Sequence, residues 1–216
     1  MIRNLKVVGL ALGALFAMSA VGASAAQATS SLDIGSNPAI LTAQQKTQLK
    51  FTLTASGLVV KCTTANLEGT TAASNVTQVT VTPQYSGCTL GGTATTIDIN
   101  GCKFLITGTN SARTAEVDIQ GCNPGKHLTI TQGTYEITVP EGGPYSHTVF
   151  TNVANQTPTE ADVNVTFAGI HYVGEGGCGT NVNGAHEDGD LTGETTLKAF
   201  QDSGGVEGTQ VSLEAT

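Results

Sequence analysis

The side chain in this sequence with the clearest potential for nucleophilic chemistry is the thiol of Cys178, the cysteine left over in the glycine-rich run 175–180. A cysteine attacks a substrate only when a base such as histidine holds it as the thiolate. His171 and His186 are near in the sequence, which places neither beside the sulfur. We predict a free thiol at Cys178, or a bridge to a second chain, and we assign no catalytic residue.

Acidic side chains are densest in residues 186–194. Asp188, Asp190 and Glu194 carry the hard oxygen ligands that Ca²⁺ takes. The spacing departs from an EF-hand loop, because Ala199 stands where the last glutamate ligand would be. The segment therefore predicts either a calcium site or a glycine-rich acidic turn between two strands.

Motifs that fix an enzymatic chemistry are missing from the sequence. It has no Gly-x-Ser-x-Gly elbow, no His-Glu-x-x-His and no P-loop, and its four histidines lack metal-ligand spacing. Two of the carboxylates Asp98, Glu116 and Asp118, on adjacent predicted strands, could form a glycosidase pair. A sugar site also needs flat aromatic rings, and the chain has no Trp, so we expect these carboxylates on solvated strand faces.

The segments that must position these side chains alternate apolar and polar residues, as half-buried antiparallel strands do. The chain is rich in Thr and has 27 Gly, which favours strands and turns over helices. Only residues 42–50 could form a short helix. Alternation is clearest at residues 49–55, 79–82, 97–99, 102–106, 115–119, 135–139, 163–167, 197–199 and 211–213.

These patterns predict an antiparallel β-sandwich of about ten to twelve short strands. A parallel β-helix is the alternative, although the sequence shows no sustained short repeat.

The N-terminus has the features of a cleaved signal peptide over residues 1–28. Arg3 and Lys6 precede an uncharged apolar run at 7–17, and small residues suited to signal peptidase follow. Residues 29–216 are then one secreted or cell-surface domain with no further segment able to span a membrane. Without Arg3 and Lys6, seven basic residues face seventeen acidic ones, a net charge of −10. This charge disfavours nucleic acid as a partner and leaves an envelope component or another protein.

Disulfides are expected in an exported chain, and the cysteines are Cys62, Cys88, Cys102, Cys122 and Cys178. We prefer the pairs Cys62–Cys88 and Cys102–Cys122, although other pairings remain open. Cys102 begins one predicted strand and Cys122 ends the next. A turn at residues 109–113 would place the two nearly opposite each other.

Several short motifs resemble a family of predicted secreted actinobacterial proteins of unknown function. They are Tyr85-Ser86-Gly87-Cys88 and the Gly-Cys pairs at 101–102, 121–122 and 177–178. The resemblance spans most of the mature chain and implies secretion and disulfides, without implying an activity. It also implies an even cysteine set with one member near Tyr135, so that Cys178 has lost its partner here.

The leading hypothesis is therefore a secreted or envelope-associated protein with a structural or binding role. An exported hydrolase or lyase with a site built from loops is the first alternative. A calcium-binding surface protein that uses Asp188, Asp190 and Glu194 is the second.

Overall fold

The apolar-polar alternation of the sequence becomes β-strand throughout the part of the chain that the structure describes. The computed structural model describes residues 29–176 and 181–216, and its regular elements are 18 strands, β1 to β18. Residues 1–28, the predicted signal peptide, lie outside this part. Within residues 29–176 and 181–216 there is no helix that could cross a membrane.

Eight of the strands form a closed ring in which each strand is antiparallel to both neighbours. The order around the ring is β2-β4-β6-β10-β11-β14-β15-β16, and β16 pairs again with β2. The bounds of these strands are β2 Ala39–Leu53, β4 Thr64–Thr71, β6 Gln78–Ser86, β10 Lys103–Gly108, β11 Thr114–Gln120, β14 Gly142–Asn152, β15 Ala161–Glu175 and β16 Gly184–Asp202. Closure pairs backbone groups that the edges of an open sheet would expose.

The prediction of an all-β, disulfide-containing fold is confirmed, but the ring is a barrel and not the predicted sandwich. In a sandwich two sheets face each other without joining along their edges, whereas here β16 hydrogen-bonds to β15 on one side and to β2 on the other. The β-helix alternative is wrong, because every ladder between these strands is antiparallel.

Two segments that the sequence left ambiguous are both strands. Residues 42–50 lie within β2, where Ala43 faces the interior, so the short helix does not form. The acidic residues 186–194 lie within β16 and not in a turn. Gly189 is part of the β16 ladder, and a Cβ at this position would lie 2.8 Å from both the Ile170 carbonyl oxygen and the Phe51 ring.

One end of the ring is extended by six short strands. From β2 the sheet continues through β3 (Leu58–Lys61), β7 (Thr89–Leu90) and β8 (Thr93–Ala94), and from β15 through β13 (Tyr135–Val139), β12 (Leu128–Gln132) and β9 (Thr96–Asp98). The two extensions meet where Thr95 joins β8 to β9. There the Gln132 side-chain amide donates to the carbonyl oxygens of Leu90 at 2.9 Å and Thr93 at 3.0 Å.

The opposite end is closed by a small three-stranded sheet that contains both ends of the described chain. Its order is β18-β1-β5, with β1 Leu32–Ile34, β5 Asn75–Val76 and β18 Leu213–Ala215. Leu32, Ile34 and Leu213 are buried against the ring residues of one core cluster. The remaining strand, β17 (Glu207–Val211), pairs with β16 outside this sheet.

Disulfides join Cys62 to Cys88 and Cys102 to Cys122, the two preferred pairs. The register of β10 and β11 pairs Lys103 with Gln120, and the chain turns at 109–113 as expected. The two Gly-Cys turns also touch, because the Asn123 amide donates to the Asn100 carbonyl oxygen at 2.8 Å. Cys178 lies outside the described residues.

Removing the second disulfide tests its contribution to stability. The bridged residues are 20 positions apart. Removing a disulfide that closes a loop of this size lowers the free energy of unfolding by about 3 kcal/mol. We expect the Cys102→Ser/Cys122→Ser double variant to show this loss in urea unfolding. Cys178→Ser is the control and should unfold like the parent chain. An unchanged transition in the double variant would contradict a structural role for the bridge.

Candidate functional site

The interior of the barrel is lined by the apolar side chains of alternate residues on each strand, and it is not completely filled. Two adjacent cavities remain inside. We name them the threonine cavity, which is lined by Thr148 and Thr195, and the disulfide cavity, which is lined by Cys62.

The threonine cavity has a volume of about 60 Å³ and lies within the eight-stranded ring. Three of its lining residues have polar side-chain atoms, namely Tyr85, Thr148 and Thr195. The rest are apolar and come from the ring and the end cap, including Leu32, Leu41, Ala43, Phe150, Val163 and Leu197. An enclosure of this composition suits an apolar molecule with few polar atoms.

The disulfide cavity has a volume of about 80 Å³ and extends towards the short strands. Val60, Leu128, Ile130 and Val139 line it together with Cys62. Leu49, Tyr85, Phe104 and Leu191 line both cavities. Rotation of these shared side chains is therefore the movement that would merge the two spaces.

Leu49 lies on β2 at a local irregularity of the strand. The ladder with β16 shifts register between Thr192 and Glu194 and again between Glu194 and Thr195, so that β2 carries two extra residues there and bends at β-bulges. The Leu49 amide donates to Gln45 Oε1 at 3.2 Å. Opposite, a Cβ at Gly193 would lie only 2.5 Å from Leu49 Cδ2. Leu49 occupies its place between the cavities because residue 193 has no side chain.

Thr148 presents a hydroxyl group to the threonine cavity without a hydrogen-bond partner. The residue is 1% exposed, and its Oγ1 has no donor or acceptor among the described residues. A buried hydroxyl left unpaired costs roughly 1–3 kcal/mol relative to a paired one. Such a polar atom in an apolar interior needs an explanation. A ligand that binds in the cavity and pairs with the hydroxyl is one such explanation.

Tyr85 lies on β6 and contributes its ring to both cavities. Burial raises the pKa of the Tyr85 hydroxyl well above its ordinary value of 10.0, because a phenolate would lose its hydration there. The side chain is therefore neutral at physiological pH and can both donate and accept a hydrogen bond.

A second polar cluster lies between β15 and β16. The register pairs Tyr172 with His186, and their rings stack with centroids 4.8 Å apart. Asp188 Oδ1 lies 3.9 Å from His186 Nδ1. The pKa of Tyr172 is raised mainly by burial and, to a smaller extent, by the Asp188 carboxylate. Tyr172 OH, His186 Nε2 and Asp188 Oδ1 are buried without hydrogen-bond partners in the described part of the chain.

The three residues predicted as calcium ligands do not meet at one point. Asp188 belongs to the Tyr172 cluster, Asp190 accepts a hydrogen bond from Thr54 at 3.1 Å, and Glu194 pairs with Lys46 at 3.1 Å. A strand rises about 3.3 Å per residue, so Asp190 and Glu194 are separated by ~13 Å along β16. Among the described residues no group of His, Cys, Asp and Glu is arranged to hold a metal ion.

The other residues singled out in the sequence are also dispersed. His171 is an exposed residue 3.8 Å from Glu187, and the stacking of His186 on Tyr172 accounts for its position. Asp98 lies on β9, which pairs with β12 and not with the strand of Glu116 and Asp118. The expected row of carboxylates on adjacent strands is therefore wrong.

Sequence analysis missed Thr148 as a site residue, because a bulge changes which residues of β14 face inward. The ladder pairs Val117 with Tyr145 but Ala115 with Thr148, so β14 carries one extra residue between them. Continued alternation from the buried Tyr145 would turn Thr148 outward. No sequence signal marks the bulge.

The burial of Tyr85 predicts a stability loss in alkali. The folded state keeps Tyr85 protonated while the unfolded chain releases the proton near pH 10, so stability is complete below that pH and decreases above it. At pH 11 this group contributes a loss of up to ~1.4 kcal/mol. In urea unfolding at pH 8 and pH 11, Tyr85→Phe should lose less stability than the parent chain. Tyr135→Phe, at a tyrosine that lines neither cavity, is the control and should not reduce the loss.

Neither a protein-family model nor a curated protein nor a solved structure matches this chain. The functional interpretation therefore depends on the geometry of the two cavities and on the chemistry of the groups that line them.

Proposed function

We propose that this chain is an exported binding protein that takes up a small apolar molecule inside its barrel. The molecule occupies the threonine cavity and extends into the disulfide cavity when the shared side chains move. The sequence predicts a structural or binding role, and this proposal locates the binding site in the interior of the barrel.

The presence of two adjacent apolar cavities is the observation that carries the proposal. Protein interiors are close-packed, and few contain voids larger than a water molecule. The cavities measure about 60 and 80 Å³, and an apolar cavity of roughly 150 Å³ stays dry and binds benzene or xenon. Once merged, the two spaces are of the size that accepts a small ring or a short alkyl group.

Binding fits the lining of these cavities better than catalysis does. Hydrolysis needs a nucleophile, a base and groups that stabilise the developing charge in one place. Tyr85 is the ionisable side chain in this lining, and the one cysteine there, Cys62, is bridged to Cys88. The interior thus offers shape and apolar contact without an arrangement for bond cleavage.

Export is supported by the two disulfides and by the predicted signal peptide. Such bridges form and persist in oxidising compartments outside the cytoplasm. A barrel that must work there gains stability from closure and from covalent links. We therefore propose that the binding protein works outside the cell or at the cell surface.

Thermal unfolding with benzene as the probe tests the proposal. A ligand that binds the folded state raises the melting temperature, so benzene should raise that of the mature chain in a concentration-dependent way. Ala43→Val adds two methyl groups to the threonine cavity, where Ala43 is 3% exposed, and should reduce the rise. Ala94→Val makes the same change at an exposed site on β8 and is the matched control.

Leu49→Ala tests the partition between the two cavities. Removing this shared side chain should lower the stability of the ligand-free protein by about 2 kcal/mol. The same change merges the spaces, so the rise in melting temperature with benzene should become larger than in the parent chain. A barrel that benzene stabilises in neither form would contradict the proposed function.

A further inference from the structure

Thr148 and Val149 reverse the burial that is usual for threonine and valine. Thr148 is 1% exposed and faces the apolar interior, whereas its neighbour Val149 is 43% exposed. Burial of valine and exposure of threonine is the common preference. Local choices that oppose the general pattern are expected at functional positions, and this one turns a hydroxyl group into the threonine cavity.

The described residues around Thr148 supply no partner for that hydroxyl. Its strand neighbours are Ala115 on β11 and Val165 on β15, which have no side-chain polar atoms. Thr195, the other buried threonine of the cavity, lies on β16, two strands from β14. Two strand spacings amount to about 10 Å, which exceeds the reach of a hydrogen bond.

A trapped water would satisfy the site poorly. A buried water is held by two to four polar partners, and the residues opposite Thr148 on both neighbouring strands are apolar and offer none. A molecule with an apolar body and a single oxygen would match both the apolar lining of the cavity and the unpaired hydroxyl of Thr148. Its body fills the cavity, and its oxygen pairs with Thr148 Oγ1.

We propose that the ligand of the threonine cavity is a neutral molecule with one hydroxyl or carbonyl oxygen, such as a small alcohol, phenol or ketone, bound through Thr148. This inference rests on the proposed function. A threonine hydroxyl both donates and accepts, so it can pair with either kind of oxygen. Carboxylates and amines are excluded, because the lining carries no ion to compensate a buried charge.

The test compares phenol and benzene as probes of the mature chain and of two variants. Thr148→Val keeps the shape of the side chain and removes the hydroxyl, whereas Thr148→Ser keeps the hydroxyl. Dissociation constants are measured by NMR titration, with thermal unfolding as the check that each variant is folded. Thr148→Val should weaken phenol binding roughly three- to tenfold, the value of one neutral hydrogen bond.

The benzene affinity of Thr148→Val should remain that of the parent chain, and Thr148→Ser should retain phenol binding. Benzoate should not bind to any of the three proteins. If Thr148→Val leaves phenol binding unchanged, or weakens both probes equally, recognition of an oxygen through Thr148 is wrong while uptake of apolar molecules stands. If neither probe binds to the parent chain, the proposed function itself is wrong.

Discussion

The double pairing of β16 is the constraint on which the rest of the structure depends. This strand bonds to β15 along one side and to β2 along the other, and so joins the two ends of what would otherwise be an open sheet. A ring of eight strands has an interior just wide enough for side chains to fill or to surround one small ligand. The width is set by the number and tilt of the strands, so a small inward residue such as Ala43 leaves space that its neighbours cannot collapse to remove.

Bulges then decide which side chains face that space. Two extra residues in β2 cancel, so Leu49 faces the same side as Leu41 and Ala43. A single extra residue in β14 before Thr148 instead reverses the inward-outward alternation locally. It places a hydroxyl where an aliphatic residue would be expected. The polarity at this point of the interior is thus controlled by backbone register.

The sequence was sufficient to predict the all-β class, segments of many strands and the two preferred disulfides, since these depend on local pattern, but it predicted about ten to twelve strands where the described residues form 18. Alternation identified β10 and β11 on either side of the turn at 109–113, and that hairpin geometry brought Cys102 to Cys122. Closure of the sheet into a ring could not be predicted, because a strand in a sandwich and a strand in a barrel have the same alternation of apolar and polar residues. The carboxylates and glycines of residues 186–194 predict a calcium site or an acidic turn, yet Gly189 and Gly193 serve close packing within β16.

Prediction of the candidate site failed for a related reason. Thr148 is distinguished only by the direction that its side chain takes after a bulge, and Tyr85 only by its position between two spaces. Neither property has a local sequence signature. The residues with conspicuous chemistry, Asp188, Asp190 and Glu194, are instead held apart along an extended strand. Asp188 lies beside His186, Asp190 accepts a hydrogen bond from Thr54, and Glu194 pairs with Lys46.

The small end sheet has a consequence for how the chain acquires its structure. Its central strand, β1, pairs with β18, so Leu32 lies opposite Ala215 across nearly the whole length of the chain. Contacts of such long sequence separation are slow to form, since the intervening chain must first be ordered. The cap cannot form until residues 213–215 have been synthesised. Closing this end of the barrel is therefore a late step of folding, which couples the two ends of the described chain.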